Sequence, residues 1–276
     1  MNTEDKGTAE KVQNWWSTEI IDIRPGKIRI RGENIEDLIG KISFVQMIWL
    51  MIQGKMPEVK QARLLEAALV ASVDHGPQSP AIATARMAVS CGNSLNHVLA
   101  SAVNMLGDVH GGAGEQCLEL MQKVKTHLDA GKNLEASVAE EILKHLHTHG
   151  KFIPGFGHRF HKHEDPRTPR LMELVSKAEV EKIISGSFMR IGLEIQRQLS
   201  RGKSAEIVMN IDGATAVIFG ELGFAPPLAR GLFCLSRSVG ILAHSWEQKN
   251  QGGRNKGPTP PELLWNYTGM NPLKEE

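Results

Sequence analysis

Hydrophobic and polar positions divide the chain into a short stretch with a two-residue period and a long remainder with a helical period. Residues 19–23 and 27–31 alternate around residues 24–26, a pattern that predicts a small β-hairpin. Later apolar positions recur every three to four residues, the spacing of one helix face. The predicted helices cover residues 35–39, 44–52, 64–73, 81–89, 95–106, 113–127, 134–149, 171–199 (one or two helices), 207–220 and 227–248. The pattern therefore predicts an all-α fold with a minor N-terminal hairpin.

Local signals mark both ends of one predicted helix. Ser43 and Gln46 have the spacing of a capping box and stand directly before an apolar run. Gly54 follows that run, where a left-handed C-cap is expected. A helix between these residues is therefore predicted from its caps as well as from its periodicity.

The two ends of the chain are predicted to be loose. Residues 1–12 are polar and mixed in charge, unlike a signal peptide, and we expect Trp15 and Trp16 to anchor this arm. Residues 250–276 are rich in Gly, Pro and Asn and predict a loop. No apolar run approaches the roughly 20 residues that span a bilayer.

Composition bounds the class of protein. The chain has 276 residues, 41% hydrophobic and 23% charged, which suffices for one large domain or two smaller ones. A net charge of +1 gives no reason to expect nucleic acid or a membrane surface as partner. Cys91, Cys117 and Cys234 show no CxxC spacing and are expected to be reduced, mostly buried thiols. These features predict a cytoplasmic protein.

The densest cluster of candidate chemistry lies in residues 154–167, which hold two glycines, three histidines and three cations. Glycines let the backbone turn tightly and approach a ligand closely. His158 can exchange a proton near neutral pH, and the planar fork of Arg167 suits a carboxylate. The segment is either a loop that binds an anion and moves a proton, or a Gly/Pro-rich connection with solvated charges.

Two further histidines each stand beside glycine near a predicted helix end. His75 lies in an Asp-His-Gly sequence after a helix, where it is either a cap or an anion contact. His110 precedes two glycines at the start of the next helix, where free backbone N–H groups favour negative charge. His110 could donate to a carbonyl that becomes an enolate, or belong to an ordinary Gly-rich turn.

An aspartate and two arginines complete the candidates. Asp212 is a lone carboxylate beside glycine, either a helix N-cap or a partly desolvated base. Arg237 interrupts an apolar helix and therefore needs either an internal carboxylate or a bound anion. Arg254 follows in a Gly/Asn-rich segment.

Other classes of site fit the sequence poorly. It has no P-loop, no GxGxxG after a strand and no Gly-x-Ser-x-Gly. His145, His147 and His149 alternate, which we interpret as a solvated helix end rather than a metal site.

Taken together, these stretches resemble the citrate synthase superfamily. The matching segments are Asp-His-Gly at His75, His-Gly-Gly-Ala at His110, Gly-x-Gly-His…Asp-Pro-Arg from 155 to 167, Asn-x-Asp-Gly at Asp212 and Arg-Ser-x-Gly-x-x-x-His-x-x-Glu-Gln from Arg237. The chain is shorter than typical citrate synthases, and several of these motifs look closer to the compact citryl-CoA lyase module of ATP-citrate lyase. His110, by contrast, retains the His-Gly-Gly of the synthases.

The resemblance implies an all-α, citrate synthase-like fold over residues 1–276, with a small helical subdomain at about 151–235. It implies that His110 hydrogen-bonds the thioester oxygen, that Asp212 moves the α-carbon proton, and that His158 acts at the keto or hydroxyl oxygen. The residues that would bind the substrate carboxylates are His75, Arg167, Arg237 and, donated by the neighbouring subunit, Arg254. The residues that would bind coenzyme A are Pro154, Gly155, Phe156, Gly157 and Lys162.

The function that we predict is cleavage of citryl-CoA to acetyl-CoA and oxaloacetate by a homodimer or tetramer. Coenzyme A would enter as a thioester substrate, with no tightly bound cofactor and no metal. The alternatives are citrate or 2-methylcitrate synthase and, from another class, a non-catalytic coenzyme A-binding relative.

Overall fold

The computed structural model describes residues 15–157 and 164–270. It begins with a three-stranded antiparallel sheet in the order β1-β2-β3. The strands are β1 (Ile21–Arg24), β2 (Lys27–Ile30) and β3 (Glu33–Asn34). The predicted hairpin is confirmed, with Ile21 opposite Ile30. The third strand was missed because two residues are too few to show an alternation.

Eleven helices follow in the described part of the chain, so the predicted all-α class is confirmed. They are α1 (Ile35–Leu38), α2 (Phe44–Gln53), α3 (Val59–Ser72), α4 (Pro80–Ser90), α5 (Leu95–Val103), α6 (Ala113–Asp129), α7 (Leu134–His149), α8 (Arg167–Val180), α9 (Ser187–Ser200), α10 (Ile211–Glu221) and α11 (Pro226–Gln251). The predicted run 171–199 is thus two helices. They are separated by a turn in which Gly186 has φ 71°.

The caps predicted for α2 are confirmed. The Ser43 hydroxyl accepts from the Gln46 backbone N–H at 3.2 Å, and the Gln46 side chain accepts from the Ser43 N–H at 2.9 Å. Gly54 ends the helix with φ 75°, a conformation that glycine adopts without strain. Short-range chemistry alone therefore determines this helix.

Helix α10 is the centre of the main core. Nine of its eleven residues are buried, all except Asp212 and Glu221. Helices α3, α6, α8 and α9 pack around it. A helix that is apolar all round is stable only when other elements bury its whole surface. Asp212, in its first turn, therefore stands where the core meets the surrounding loops.

A second, smaller apolar cluster joins α4 and α5 to the long helix α11. Ile82 and Ala85 of α4 contact Val98 of α5 and Ile241 of α11, and all four are fully buried. Small residues on α4 allow this close packing. The cluster fixes α11 beside the residues that precede and follow α4.

Two expectations about single residues are wrong. Trp15 and Trp16 anchor nothing in the described chain, since their exposed fractions are 76% and 86%. Of the three free cysteines, Cys117 alone is fully buried, whereas Cys91 is exposed and Cys234 intermediate. Local sequence does not reveal which apolar side chains find a partner.

Neither the described helices nor their apolar stretches meet the length and hydropathy that a membrane crossing requires. The segment after α11 is free of helix and strand as far as residue 270, as predicted for the tail. The subdomain at 151–235 stays a prediction.

Candidate active site

The described part of the central loop lies against the N-terminal end of α10. The backbone of Gly155 accepts from the Asn210 N–H at 3.0 Å, and the Gly157 N–H donates to the Val208 carbonyl at 2.8 Å. These bonds join the central loop to the segment that begins α10. The two motifs lie more than fifty residues apart in sequence, and the fold makes them one site.

Asn210, and not Asp212, caps α10. The Asn210 side-chain oxygen accepts from the backbone N–H groups of Asp212 and Gly213, at 2.9 and 3.3 Å. Its amide nitrogen donates to the Gly157 carbonyl at 2.6 Å. The N-cap interpretation of Asp212 is therefore wrong. In the described part of the chain the Asp212 carboxyl makes no hydrogen bond, which leaves it available to a ligand.

The environment of Asp212 favours its neutral form. Burial raises the pKa of this carboxyl, and the positive charges of Arg167 and Arg237 only partly offset that effect. Asp165 raises the pKa further. A carboxyl in this state can hold a proton and deliver it, as a general acid or base must.

Glycine is required where the central loop meets α10. A Cβ on Gly155 would lie 2.6 Å from the Cys117 sulfur and 2.9 Å from the Gly213 Cα, too close for any side chain. Gly155 also has φ 85°, which favours glycine by itself. Burial raises the pKa of the Cys117 thiol, so this sulfur packs as a neutral group. The predicted close approach of the Gly-rich loop is to α10 of its own chain.

The His110 side chain contacts the N-terminal end of α4. Its Nε2 is 3.4 Å from the Ala81 N–H and 3.4 Å from the Ser79 hydroxyl. A backbone N–H can only donate, so Nε2 accepts and the ring proton resides on Nδ1. Burial, followed by the charges of Arg237 and His75, lowers the pKa of His110. His110 is therefore a neutral imidazole with an N–H to donate.

Arg237 is a buried cation whose guanidinium makes no ion pair with any described residue. Its exposed fraction is 5%. Its Nε donates to the Ser72 carbonyl at 3.1 Å, and its guanidinium carbon lies 4.7 Å from the centre of the Phe233 ring. Burial lowers its pKa, while Asp74 and Asp212 oppose that shift. Of the two partners that the sequence left open, the internal carboxylate is thus absent from the described contacts.

Arg167 has the internal partner that Arg237 lacks. Its Nε and one terminal nitrogen donate to the two oxygens of Asp165, at 2.9 and 2.8 Å. Asp165 is fully buried and also accepts from the backbone N–H of Ile211 at 3.2 Å. The other terminal nitrogen of Arg167 lies 3.4 Å from the Ala71 carbonyl. Sequence reasoning assigned no role to Asp165, although it stands in the Asp-Pro-Arg motif.

The remaining predicted residues divide into three groups. His75, in the turn after α3, lies close enough for its charge to lower the pKa of His110 and to act on Asp212. Arg254 is exposed beyond α11, in a segment that the Asn255 N–H attaches to the Ser90 carbonyl at 2.8 Å. His158 and Lys162 lie outside the described residues. The functional roles assigned to all these residues stay predictions.

A groove of about 1290 Å³ runs between α6 and α7 and reaches the central loop. Pro154, directly before Gly155, and the exposed Val109, directly before His110, are among its lining residues. Its walls carry charges of both signs: three cations, two of which (Lys144 and Arg230) are paired with carboxylates of the same lining.

The histidines at the end of α7 include two exposed side chains, His147 and His149, as predicted for a solvated helix end, and two of the rings contact each other. His145 and His149 are one helical turn apart, and their rings stack with centroids 4.7 Å apart. Burial, followed by the charge of His149, lowers the pKa of His145. They line the groove and form no part of the Asp212 cluster.

One cluster between α6 and α7 has the composition of a metal site. Ligand atoms of His127, Glu140 and Glu141 all lie within 4.8 Å of one another. The Lys144 ammonium donates to Glu140 and Glu141 at 2.7 and 2.8 Å, and Lys132 also contacts Glu140. Lysine thus neutralises the two carboxylates, and the cluster reads as an ion network that joins the two helices.

Comparison with known proteins identifies relatives for most of the chain. Residues 58–258 match the family described as citrate synthase, C-terminal domain. A citrate synthase from Heyndrickxia coagulans is 30% identical over 242 residues, which cover 85% of this chain and 58% of that protein. The chain therefore spans little more than half the length of this curated relative.

Solved structures resemble the fold over nearly the whole chain. A citryl-CoA lyase from Hydrogenobacter thermophilus has a TM-score of 0.82 at 35% identity, with 94% of this chain and 96% of that chain covered. An ATP citrate lyase from Methanothrix soehngenii has a TM-score of 0.75 at 22% identity, covering 100% of this chain and 45% of that one. The second likeness shows the fold alone.

Proposed function

The chain belongs to the citrate synthase family, and we propose that it is a carbon–carbon lyase that cleaves citryl-CoA to acetyl-CoA and oxaloacetate. The observation that carries the proposal is the state of Asp212. This partly buried carboxyl has a raised pKa and is relieved of helix capping by Asn210. The charges of Arg167 and Arg237 act on Asp212, and the charge of Arg237 also acts on His110. Such a group suits proton transfer at carbon beside a bound polyanion.

The choice of lyase over synthase is supported by likeness along the chain. The match to the Hydrogenobacter thermophilus citryl-CoA lyase extends over 94% of one chain and 96% of the other. Two curated citrate synthases, from Acidithiobacillus ferridurans and Heyndrickxia coagulans, are matched over 52% and 58% of their own length. The His-Gly-Gly sequence at His110 favours the second candidate, citrate or 2-methylcitrate synthase.

In the proposed reaction each proton and electron pair has a destination. His158 takes the proton of the citryl hydroxyl, and the oxygen becomes the keto group of oxaloacetate. The carbon–carbon bond breaks, and its electron pair passes into the thioester as an enolate. The Nδ1–H of His110 donates to the enolate oxygen, where charge develops. Asp212 then delivers its proton to carbon, which forms the methyl group of acetyl-CoA.

Binding is divided between the two halves of the substrate. His75, Arg167 and Arg237 bind the carboxylates, because cations and planar guanidinium forks suit these groups. The residues assigned to coenzyme A are Pro154, Gly155, Phe156, Gly157 and Lys162; of these, Pro154 also lines the groove between α6 and α7.

Product analysis with citryl-CoA tests the function. Oxaloacetate and acetyl-CoA in equal amounts are expected. Citrate with free coenzyme A would instead identify the synthase, with its thioester hydrolysis. Binding of coenzyme A thioesters without either set of products would identify a non-catalytic relative.

We predict that Arg237→Leu raises the KM for citryl-CoA while kcat changes much less. The variant removes a charge-assisted contact worth about 1.5–3 kcal/mol, so the KM should rise by about ten- to a hundred-fold. Steady-state kinetics measure both constants. Arg63→Leu, on the exposed face of α3, is the control and should behave as wild type. A fall in melting temperature with an unchanged KM would contradict the binding role.

We further predict that the active sites are shared in a symmetric dimer, with Arg254 completing the neighbouring subunit's site. Arg254→Ala and His158→Ala chains should each be inactive alone. Refolded together they should recover roughly a quarter of wild-type activity, because half of the dimers are mixed and each has one intact site. Confirmed mixing without recovery would place Arg254 in its own subunit's site or outside any site.

A further inference from the structure

Successive turns of helix α11 pack against the end of α3 and the loop that carries His75. The Ser236 hydroxyl donates to the Leu69 carbonyl, and Arg237 Nε donates to the Ser72 carbonyl. One turn later, a side chain on Gly240 would collide with the Val73 carbonyl. The backbone of α11 is therefore packed directly against the end of α3.

One helical turn beyond Gly240, His244 reaches the residue beside His75. Its Nε2 lies 3.1 Å from an oxygen of Asp74. Its Nδ1 lies 3.2 Å from a terminal nitrogen of Arg86 on α4. A guanidinium can only donate, so Nδ1 must accept, and the ring proton is on Nε2 and is donated to Asp74. Arg86 thus selects the tautomer of His244.

Both ends of this chain of contacts are fixed. The Arg86 guanidinium also binds Glu247 at 2.5 Å and Gln251 at 2.7 Å, and only 18% of the Arg86 side chain is exposed. The oxygen of Asp74 that faces His244 also accepts from the Gly76 N–H at 3.2 Å. The Asp74 carboxylate therefore bonds both to His244 and to the residue after His75, so His75 lies in a turn that this carboxylate closes.

The charge state of Asp74 agrees with this arrangement. Burial by itself would raise the pKa of Asp74, but the hydrogen bond from His244 and the N–H groups of His75 and Gly76 outweigh it, and the pKa is lowered. The carboxylate is thus a stable acceptor, and none of the three side chains Arg86, His244 and Asp74 takes part in the proton transfers of the proposed reaction.

We propose that Arg86, His244 and Asp74 form a hydrogen-bonded relay that sets the position of His75, with His244 as a positioning residue for substrate binding. The kinetic part of this inference rests on the proposed function, in which His75 contacts a substrate carboxylate. The geometric part rests on the contacts alone. A misplacement of about 1 Å at a binding group can cost on the order of a hundred-fold in rate.

Nuclear magnetic resonance of the ¹⁵N-histidine-labelled chain tests the geometric part without any activity. The ring proton of His244 should be on Nε2, with Nδ1 as the acceptor. His244→Met should shift the ring resonances of His75. The same substitution at His97, which is exposed on α5, should leave them unchanged. A proton on Nδ1 of His244, or His75 resonances that ignore His244→Met, would overturn the relay.

Kinetics with citryl-CoA test its consequence. His244→Met should lower kcat/KM by about ten- to a hundred-fold, chiefly through KM, with little change in melting temperature. His244→Gln carries a donor and an acceptor on one planar group and should restore most of the loss. His97→Met should have the wild-type kinetic constants.

Wild-type kinetics from His244→Met would refute the positioning role. An inactive wild type would instead refute the proposed function and leave the resonance test to judge the relay. If His244→Met does not fold, two other variants decide. Arg86→Met removes the donor to His244, whereas His244→Gln keeps both hydrogen bonds, so equally weak binding of citryl-CoA by the two would refute the relay.

Discussion

Asp212→Asn is expected to lower kcat by about 10²–10⁴-fold, the usual cost of losing a general acid or base. Asparagine has the shape of aspartate but cannot exchange a proton at this position. The cap of α10 is made by the side chain of Asn210, so α10 should remain intact in this variant. Asp129→Asn, on the exposed end of α6, is the matched control and should retain full turnover.

The same variant should also reveal the stability cost of the wild-type carboxyl. Burial raises the pKa of Asp212 in the folded state, so the folded chain disfavours the ionised form. The resulting stability is fully present below the unfolded pKa and is lost as pH rises through the folded pKa. Asp212→Asn should therefore be as stable as wild type at acid pH and more stable at pH 8.

Urea denaturation of both proteins at acid pH and at pH 8, together with turnover, measures these effects. A variant that turns over citryl-CoA at nearly the wild-type rate would exclude Asp212 from the proton transfer. A variant that is less stable at pH 8 would mean that the carboxylate stabilises α10 after all.

Asp165→Ala is expected to reduce the free energy of unfolding by about 3–5 kcal/mol, the range measured when one partner of a buried ion pair is removed. Asp165 is fully buried and receives two bonds from the Arg167 side chain. It also accepts from the backbone N–H groups of Arg167 and Ile211, at 3.1 and 3.2 Å. The alanine variant leaves all these donors without their acceptor.

The pH dependence of this loss has the opposite sign to that of Asp212. Burial would raise the pKa of Asp165, but Arg167 and the backbone N–H groups outweigh burial and lower it. The carboxylate therefore contributes stability that is present above its unfolded pKa and is lost as pH falls through the folded pKa. The difference between wild type and Asp165→Ala should narrow in acid.

Urea denaturation at neutral and at acid pH measures the free energy of unfolding. Glu164→Ala is the control, because that neighbouring side chain is exposed. A loss below about 1 kcal/mol, the size of an exposed ion pair, would mean that water replaces the carboxylate. The stability of Asp165→Asn should lie between those of wild type and Asp165→Ala, since the asparagine amide keeps one acceptor oxygen.

Local sequence determined the features whose cause is itself local. The helical period predicted most of the helices, and the cap signals of Ser43, Gln46 and Gly54 marked both ends of α2, because these contacts join residues at most a few positions apart. The ordered motifs from His75 to Arg237 also sufficed to identify the family, since each motif is a contiguous string of residues.

The partners within the site depended on the tertiary structure. Asn210 rather than Asp212 caps α10, because the central loop supplies the Gly157 carbonyl that orients the Asn210 amide. Arg167 has a buried carboxylate and Arg237 has none among the described residues, although both are arginines in equally distinctive motifs. The partner of Arg167 stands two residues away in its own motif, but only the fold shows that this carboxylate is buried and paired, and that no described carboxylate pairs with Arg237.

The contact between His244 and Asp74 joins residues 170 positions apart. Periodicity and motif spacing carry no information about such a pair, because only the packing of α11 against the end of α3 brings the two side chains within hydrogen-bonding distance. The sequence supplied the chemical groups of the site. Their pairing, protonation and exposure follow from burial and from long-range packing, which only the folded chain determines.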